Sequence, residues 1–169
     1  ISISMIPHLA HLDLTENQIT DSGLEAISRI TQLTYLNLSM KKIGTLGFDA
    51  ISNLSSLTYL EITKFYFNRE ELIKLDLISK LTNLTTLHFV PRKYRIGNAE
   101  ILSKLINLTN LYIVHLPNIE SLIPKLPNLV SLILKRVTVN MDKRNQENLL
   151  SSTTLEKLCL LGNYSIVPS

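Results

Sequence analysis

The feature that most constrains this chain is that it repeats itself. Leu9-Ala10-His11-Leu12-Asp13-Leu14 returns as Leu33-Thr34-Tyr35-Leu36-Asn37-Leu38 and again as Leu57-Thr58-Tyr59-Leu60-Glu61-Ile62. It continues as Leu84-Thr85-Thr86-Leu87-His88-Phe89, Leu108-Thr109-Asn110-Leu111-Tyr112-Ile113, Leu129-Val130-Ser131-Leu132-Ile133-Leu134 and Leu155-Glu156-Lys157-Leu158-Cys159-Leu160. The starts lie 24, 24, 27, 24, 21 and 26 residues apart. Self-similarity at a period in the twenties points to stacked coils, each unable to bury its apolar face alone. Such an array carries its activity on a long curved surface. The whole of 1–169 reads as one domain of about seven coils starting near 9, 33, 57, 84, 108, 129 and 155.

One unit shows the physics. In residues 9–32 the alternation of Leu12 and Leu14 with His11, Asp13 and Thr15 has period two, the mark of a strand with one dry and one wet face. Ile19 then points inward, Thr20-Asp21-Ser22 offers capping oxygens, and Gly23 eases the turn into a helix. Leu24, Ile27 and Ile30 follow at helical spacing. Residues 44–54 and 68–81 predict further helices, with Glu70 and Glu71 favouring the start of the second. A shorter helix is expected over 97–105. Pro117, Pro124 and Pro127 limit residues 117–128 to one or two turns, and helix returns over 141–151. The expected class is α/β: parallel strands forming a concave inner sheet, with helices outside. Strands stack about 4.8 Å apart and helices about 10 Å apart, so the array must bend toward its strands.

The composition suits this unit. There are 33 Leu and 19 Ile but only 4 Ala. Net charge is +3 but unevenly spread: residues 1–84 hold 7 Lys/Arg and 9 Asp/Glu, residues 85–169 hold 10 and 5. A molecule polar from end to end steers a partner in one orientation. The single Cys159 allows no internal disulfide and favours a reducing setting. No apolar run is long enough to span a membrane. Five Asn-x-Ser/Thr sequons occur, at Asn37, Asn53, Asn83, Asn107 and Asn163; three of them belong to the Asn-Leu-Ser/Thr run before a strand, which favours a structural role.

At Leu-x-x-Leu-x-Leu the chain resembles leucine-rich repeat proteins over nearly its whole length. Leu9 to Ile30, with Asn17, Ile19, Gly23, Leu24 and Ile27, is similar to the helix-rich class typified by ribonuclease inhibitor and the repeats of some bacterial effectors. The resemblance implies a solenoid that works as a binding scaffold, without enzymatic activity or cofactor. The family's turn asparagine is matched only by Asn17 and Asn163. Lys41, Phe65, Arg92, Leu116 and Val137 take its place elsewhere, so an irregular sheet edge is expected, with kinks at the 27- and 21-residue units. Ile1 to His8 reads as the tail of an earlier coil and Tyr164 to Ser169 as breaking off inside one, the pattern of a fragment or of a protein capped by other segments.

The wet strand positions form columns: His11, Tyr35, Tyr59, Thr86, Asn110, Ser131 and Lys157 in the first; Asp13, Asn37, Glu61, His88, Tyr112, Ile133 and Cys159 in the second. A third, at the strand exits, holds Glu16, Met40, Lys64, Pro91, His115, Arg136 and Gly162. Tyr35 and Tyr59, with Tyr112 and Met40 near, suit an interaction hot spot because tyrosine offers apolar area and a hydroxyl at low entropic cost. Glu61 beside His88 is a base–orienter pair on paper, but an open face excludes no water and no nucleophile accompanies it. His8 and His11 lack further metal ligands. Arg92, Lys93 and Arg95 around Tyr94, with Lys135 and Arg136, read as a solvated basic edge rather than a phosphate site.

The expected function is a non-enzymatic protein-binding module, monomeric, occluding or regulating an enzyme or effector. It would contact its partner through His11, Asp13, Tyr35, Asn37, Met40, Tyr59, Glu61, Lys64, His88, Tyr112, His115 and Arg136. The expected compartment is the cytosol, its own cell's or a host's, with no membrane association. Two alternatives stay open: a substrate-recognition arm of a larger protein such as a ubiquitin ligase component, and nucleic-acid binding through the basic half.

Overall fold

The computed structural model of the chain describes residues 3–39, 43–65, 75–91, 99–114, 119–135, 147–148 and 151–162. Seven strands follow the seven leucine motifs: β1 (His11–Asp13), β2 (Tyr35–Ser39), β3 (Tyr59–Phe65), β4 (Thr86–Pro91), β5 (Asn110–Val114), β6 (Ser131–Lys135) and β7 (Lys157–Leu161). They form one sheet in sequence order, every neighbouring pair parallel. Tyr35 stands opposite His11 and Tyr59, Leu36 opposite Leu12 and Leu60, and so on to Leu132 opposite Leu158. The first two wet columns read from the sequence are therefore columns of the sheet, whereas at the strand exits Pro91 stands opposite Phe65 rather than Lys64. One irregularity interrupts them: the register slips between Thr63 and Phe65 where β3 meets β4. That is the junction of the 27-residue unit, and an extra residue there has to be absorbed as a bulge. The 21-residue unit between β5 and β6 keeps a regular register over five pairs. Its shortness is absorbed on the outer side.

The outer layer thins along the chain. It starts with α1 (Asp21–Ile27), α2 (Thr45–Ser52) and the single-turn α3 (Leu75–Ile78), then gives way to 3-10 turns at Ala99–Lys104, Ile119–Ser121 and Ile123–Lys125. The helix expected over 97–105 is thus a 3-10 segment, Ala99–Lys104. Residues 117–128 hold two short turns, as their prolines require. Of the helix expected over 68–81, residues 75–81 are described and only Leu75–Ile78 of them is helical, while most of 141–151 lies outside the described residues.

Between the two layers lies one continuous core. Leu12, Leu36, Leu60, Leu87, Leu111 and Leu132 form one buried column, and Leu38, Ile62, Phe89, Ile113 and Leu134 the next. Phe48 of α2 reaches Phe89 of β4, ring centroids 6.2 Å apart. Each fully buried aliphatic side chain contributes about 1.5–3 kcal/mol. The last strand is less covered: Leu158, Leu160 and Leu161 are 44%, 40% and 42% exposed.

Polar ladders tie coil to coil. Thr34 donates its hydroxyl to Ala10 O, Thr58 to Thr34 O, Thr85 to Thr58 O and Thr109 to Thr85 O, at 3.0–3.1 Å. The same carbonyls accept the backbone N–H of the residue at the next strand start. Asn83, Asn107 and Asn128 each donate a side-chain N–H to a carbonyl of the coil before, at 2.9 Å. The sequon asparagines Asn83 and Asn107 are thus committed to the frame. Asn17, the family-type turn asparagine, donates to Thr15 O at 3.2 Å.

Candidate functional site

Because side chains alternate along a strand, the residues between the core columns all face the uncovered side of the sheet. All-parallel sheets are ordinarily covered on both faces; among the described residues, this one carries helices and turns on one face only. The bare face is the candidate site, and its first five strands carry a row of rings.

The His11 and Tyr35 rings lie 3.7 Å apart and nearly parallel, and Tyr35 and Tyr59 lie 4.2 Å apart and nearly parallel. Tyr59 meets His88 edge-on at 5.5 Å, and His88 meets Tyr112 edge-on at 5.7 Å. The row therefore starts in the first column and crosses to the second at His88. The two edge-to-face contacts have a favoured aromatic geometry, each worth about 0.5–1.5 kcal/mol. Tyr35, Tyr59, His88 and Tyr112 are half-buried and His11 is exposed.

Polar groups run beside the rings. The Tyr59 hydroxyl donates to Glu61 Oε2 at 2.7 Å, and His88 Nδ1 lies 3.3 Å from the same oxygen and 3.4 Å from that hydroxyl. Burial, and then the hydrogen bond to Glu61, push the Tyr59 phenol well above its ordinary range, so it stays a proton donor. Asp13 accepts the Thr15 backbone N–H at 2.8 Å and the Thr15 hydroxyl on Oδ1, and an Asn37 side-chain N–H on Oδ2 at 3.2 Å. The Thr15 hydroxyl and then its N–H hold the Asp13 carboxyl below the usual carboxylate range, with help from Asn37 and His11. Asn37 thereby faces Asp13, and its Oδ1 is buried with no hydrogen-bond partner among the described residues. At the far end of the face Lys135 and Lys157 are exposed, flanking the half-buried Ile133 and Cys159.

Of the residues selected from the sequence, the structure joins His11, Tyr35, Tyr59, His88 and Tyr112 in one row and sets Asp13, Asn37 and Glu61 beside it. Met40, His115 and Arg136 lie outside the described residues, as do Arg92, Lys93, Tyr94 and Arg95; Lys64 lies in β3, its side chain likewise outside the description. Sequence reasoning missed the threonine ladder under this face. Its signal was present: a Thr follows the first Leu of four motifs. Among the described residues no three His, Cys, Asp or Glu side chains come together to hold a metal ion, and no helix is long and apolar enough to cross a membrane.

Residues 7–64 match the leucine rich repeat family model. Comparison with curated proteins found no match. Solved structures similar to this chain include an internalin from Listeria monocytogenes, 23% identical, with a TM-score of 0.66 over 96% of this chain and 42% of that one. A leucine-rich repeat protein of Leptospira interrogans is 20% identical, with a TM-score of 0.60 over 95% of this chain and 45% of that one. The ectodomain of the Arabidopsis receptor kinase HAESA, solved with a peptide hormone ligand, is 18% identical, with a TM-score of 0.59 over 96% of this chain and 31% of that one. The chain thus spans less than half the length of each of these three. The matched segment, the same coil repeated beyond it and the seven-stranded parallel sheet give this chain the fold of a leucine-rich repeat solenoid.

Proposed function

We propose that the bare concave face is a protein-binding surface and that the chain works by binding rather than by catalysis. One observation carries this reading: five rings run in contact across five adjacent strands, on a face the core does not need. Rigid, part-exposed aromatic side chains are the usual anchors of interfaces. Seven strands span about 29 Å, enough for one face of a protein or an extended peptide. The ectodomain relative solved with a peptide hormone supports the same use of this fold. Bound there, the module would occlude or regulate an enzyme or effector, or present a substrate as the arm of a longer protein. The acidic groups beside the rings disfavour nucleic acid. The single thiol supports a cytosolic setting, its own cell's or a host's.

The test is Tyr35→Ala with Tyr59→Ala. Calorimetric titration against a partner captured by the native chain should show binding weakened by at least about 2 kcal/mol, with the far-UV circular dichroism spectrum unchanged. Unaltered affinity refutes the reading.

A further inference from the structure

The face is chemically directional, and that direction defines what fits it. At one end Asp13 and Glu61 stand in the same column two strands apart, with Asn37 between them. Both carboxylates are held: Asp13 by Thr15 and Asn37, Glu61 by the Tyr59 hydroxyl with His88 beside it. A carboxylate already fixed in place loses little freedom when it meets a cation. In the middle Tyr112 and Ile133 are half-buried. At the other end Lys135 closes β6 and Lys157 opens β7. The alternation of buried Leu132 and Leu134 with Ser131, Ile133 and Lys135 puts Lys135 on the bare face, and the register puts Lys157 beside Ser131. The two ammonium-bearing residues thus flank Ile133 and Cys159 along the strand direction.

The ring faces are mostly taken by one another in the stack of His11, Tyr35 and Tyr59. A partner's cation therefore finds ring edges there, not open π faces, and edges carry the positive side of the aromatic quadrupole. The attraction for a base comes from the carboxylates alongside. That places the basic group over the Asp13–Asn37–Glu61 column, with apolar groups against the ring edges.

Resting on the protein-binding reading above, we infer that the face takes an extended segment of a partner lying across the strands. A Lys or Arg of that segment pairs with Asp13 and Glu61, apolar residues cover Tyr112 and Ile133, and an Asp or Glu lies between Lys135 and Lys157. The two charged ends of the site are about five strand spacings apart, roughly 24 Å, and an extended chain advances about 3.4 Å per residue. The basic and acidic residues of the segment are therefore about seven positions apart.

The probe is a phage-displayed library of random dodecapeptides selected on the full chain, followed by synthetic versions of the enriched peptides titrated by fluorescence polarisation. Enriched peptides should carry a basic and an acidic residue six to eight positions apart. Asp13→Asn with Glu61→Gln should weaken them at least tenfold at low salt, with less effect as salt rises. Asp13→Lys and Glu61→Lys with Lys135→Glu and Lys157→Glu should select the opposite polarity. Peptides that lose affinity on Tyr35→Ala with Tyr59→Ala but show no such spacing overturn this inference and leave the protein-binding reading standing. No enrichment, or enriched peptides indifferent to the tyrosines, overturns both.

Discussion

Gly47→Ala sets two effects against each other, and the structure decides the sign. Gly47 lies inside α2, and by helix propensity alone alanine there would stabilise the protein by about 0.5–1 kcal/mol. But α2 is packed against α1, and a Cβ at Gly47 would sit 2.5 Å from Asp21 Oδ1 and 2.8 Å from both Ile43 Cγ1 and Leu24 Cδ1. Asp21 has little room to yield. Its Oδ1 accepts the Gly44 N–H at 2.9 Å, so an aspartate of one coil caps the helix of the next, where Gly44 offers no side chain of its own. Overpacking costs about 1–3 kcal/mol and a lost cap about 1 kcal/mol. Set against the propensity gain, the expected net loss is about 1–3 kcal/mol. Urea unfolding followed by circular dichroism should show a lower midpoint at an unchanged slope. In an Asp21→Ala background the same substitution should cost about 1 kcal/mol less, because the nearest obstacle and the cap are both already gone. A midpoint equal to or above that of the parent would refute the close-packing argument.

Two further outcomes follow from the same structure. Leu60 is fully buried and Leu158 is 44% exposed in the equivalent position four strands further on; Leu60→Ala should lose about 2–5 kcal/mol and Leu158→Ala half of that or less, and equal losses in urea unfolding would contradict the uneven cover of the sheet. Asp13 has a folded-state pKa lowered from 3.8, so its contribution to stability is present above that value and lost as pH falls through the folded pKa. Carboxyl-carbon NMR titration should find it below the usual aspartate range in the parent and nearer that range in Thr15→Ala; no movement would show that Thr15 is not the cause.

The inner sheet was legible because it depends on parity. Leucines two apart fix which side chains share a face, and equal spacing from motif to motif fixes the register, so His11, Tyr35 and Tyr59 had to be neighbours. The outer layer depends on length and local propensity, which short segments encode weakly, and the 3-10 segment at Ala99–Lys104 is the result. Of the capping oxygens offered by Thr20-Asp21-Ser22, Thr20 accepts the Gly23 N–H at its own helix start, while Asp21 reaches into the next coil. Spacing along the chain carries no sign of such a crossing. The ring row was legible only in part. Column membership says that Tyr59 and His88 lie on adjacent strands, but not that side-chain torsions bring the second column against the first, with Glu61 shared between them.

The threonine ladder has a consequence for how such a chain can change. From Ala10 to Thr85 each strand-start carbonyl meets a threonine hydroxyl from the coil that comes next. A coil is therefore interchangeable as a cassette. Deleting or duplicating one unit between Thr34 and Thr109, with the splice placed in the outer turns, keeps the threonine bond at each junction while moving the carboxylates and the lysines nearer together or further apart. Reach, and with it the choice of guest, is retuned by whole steps on the inner side, and only the outer layer has to be refitted.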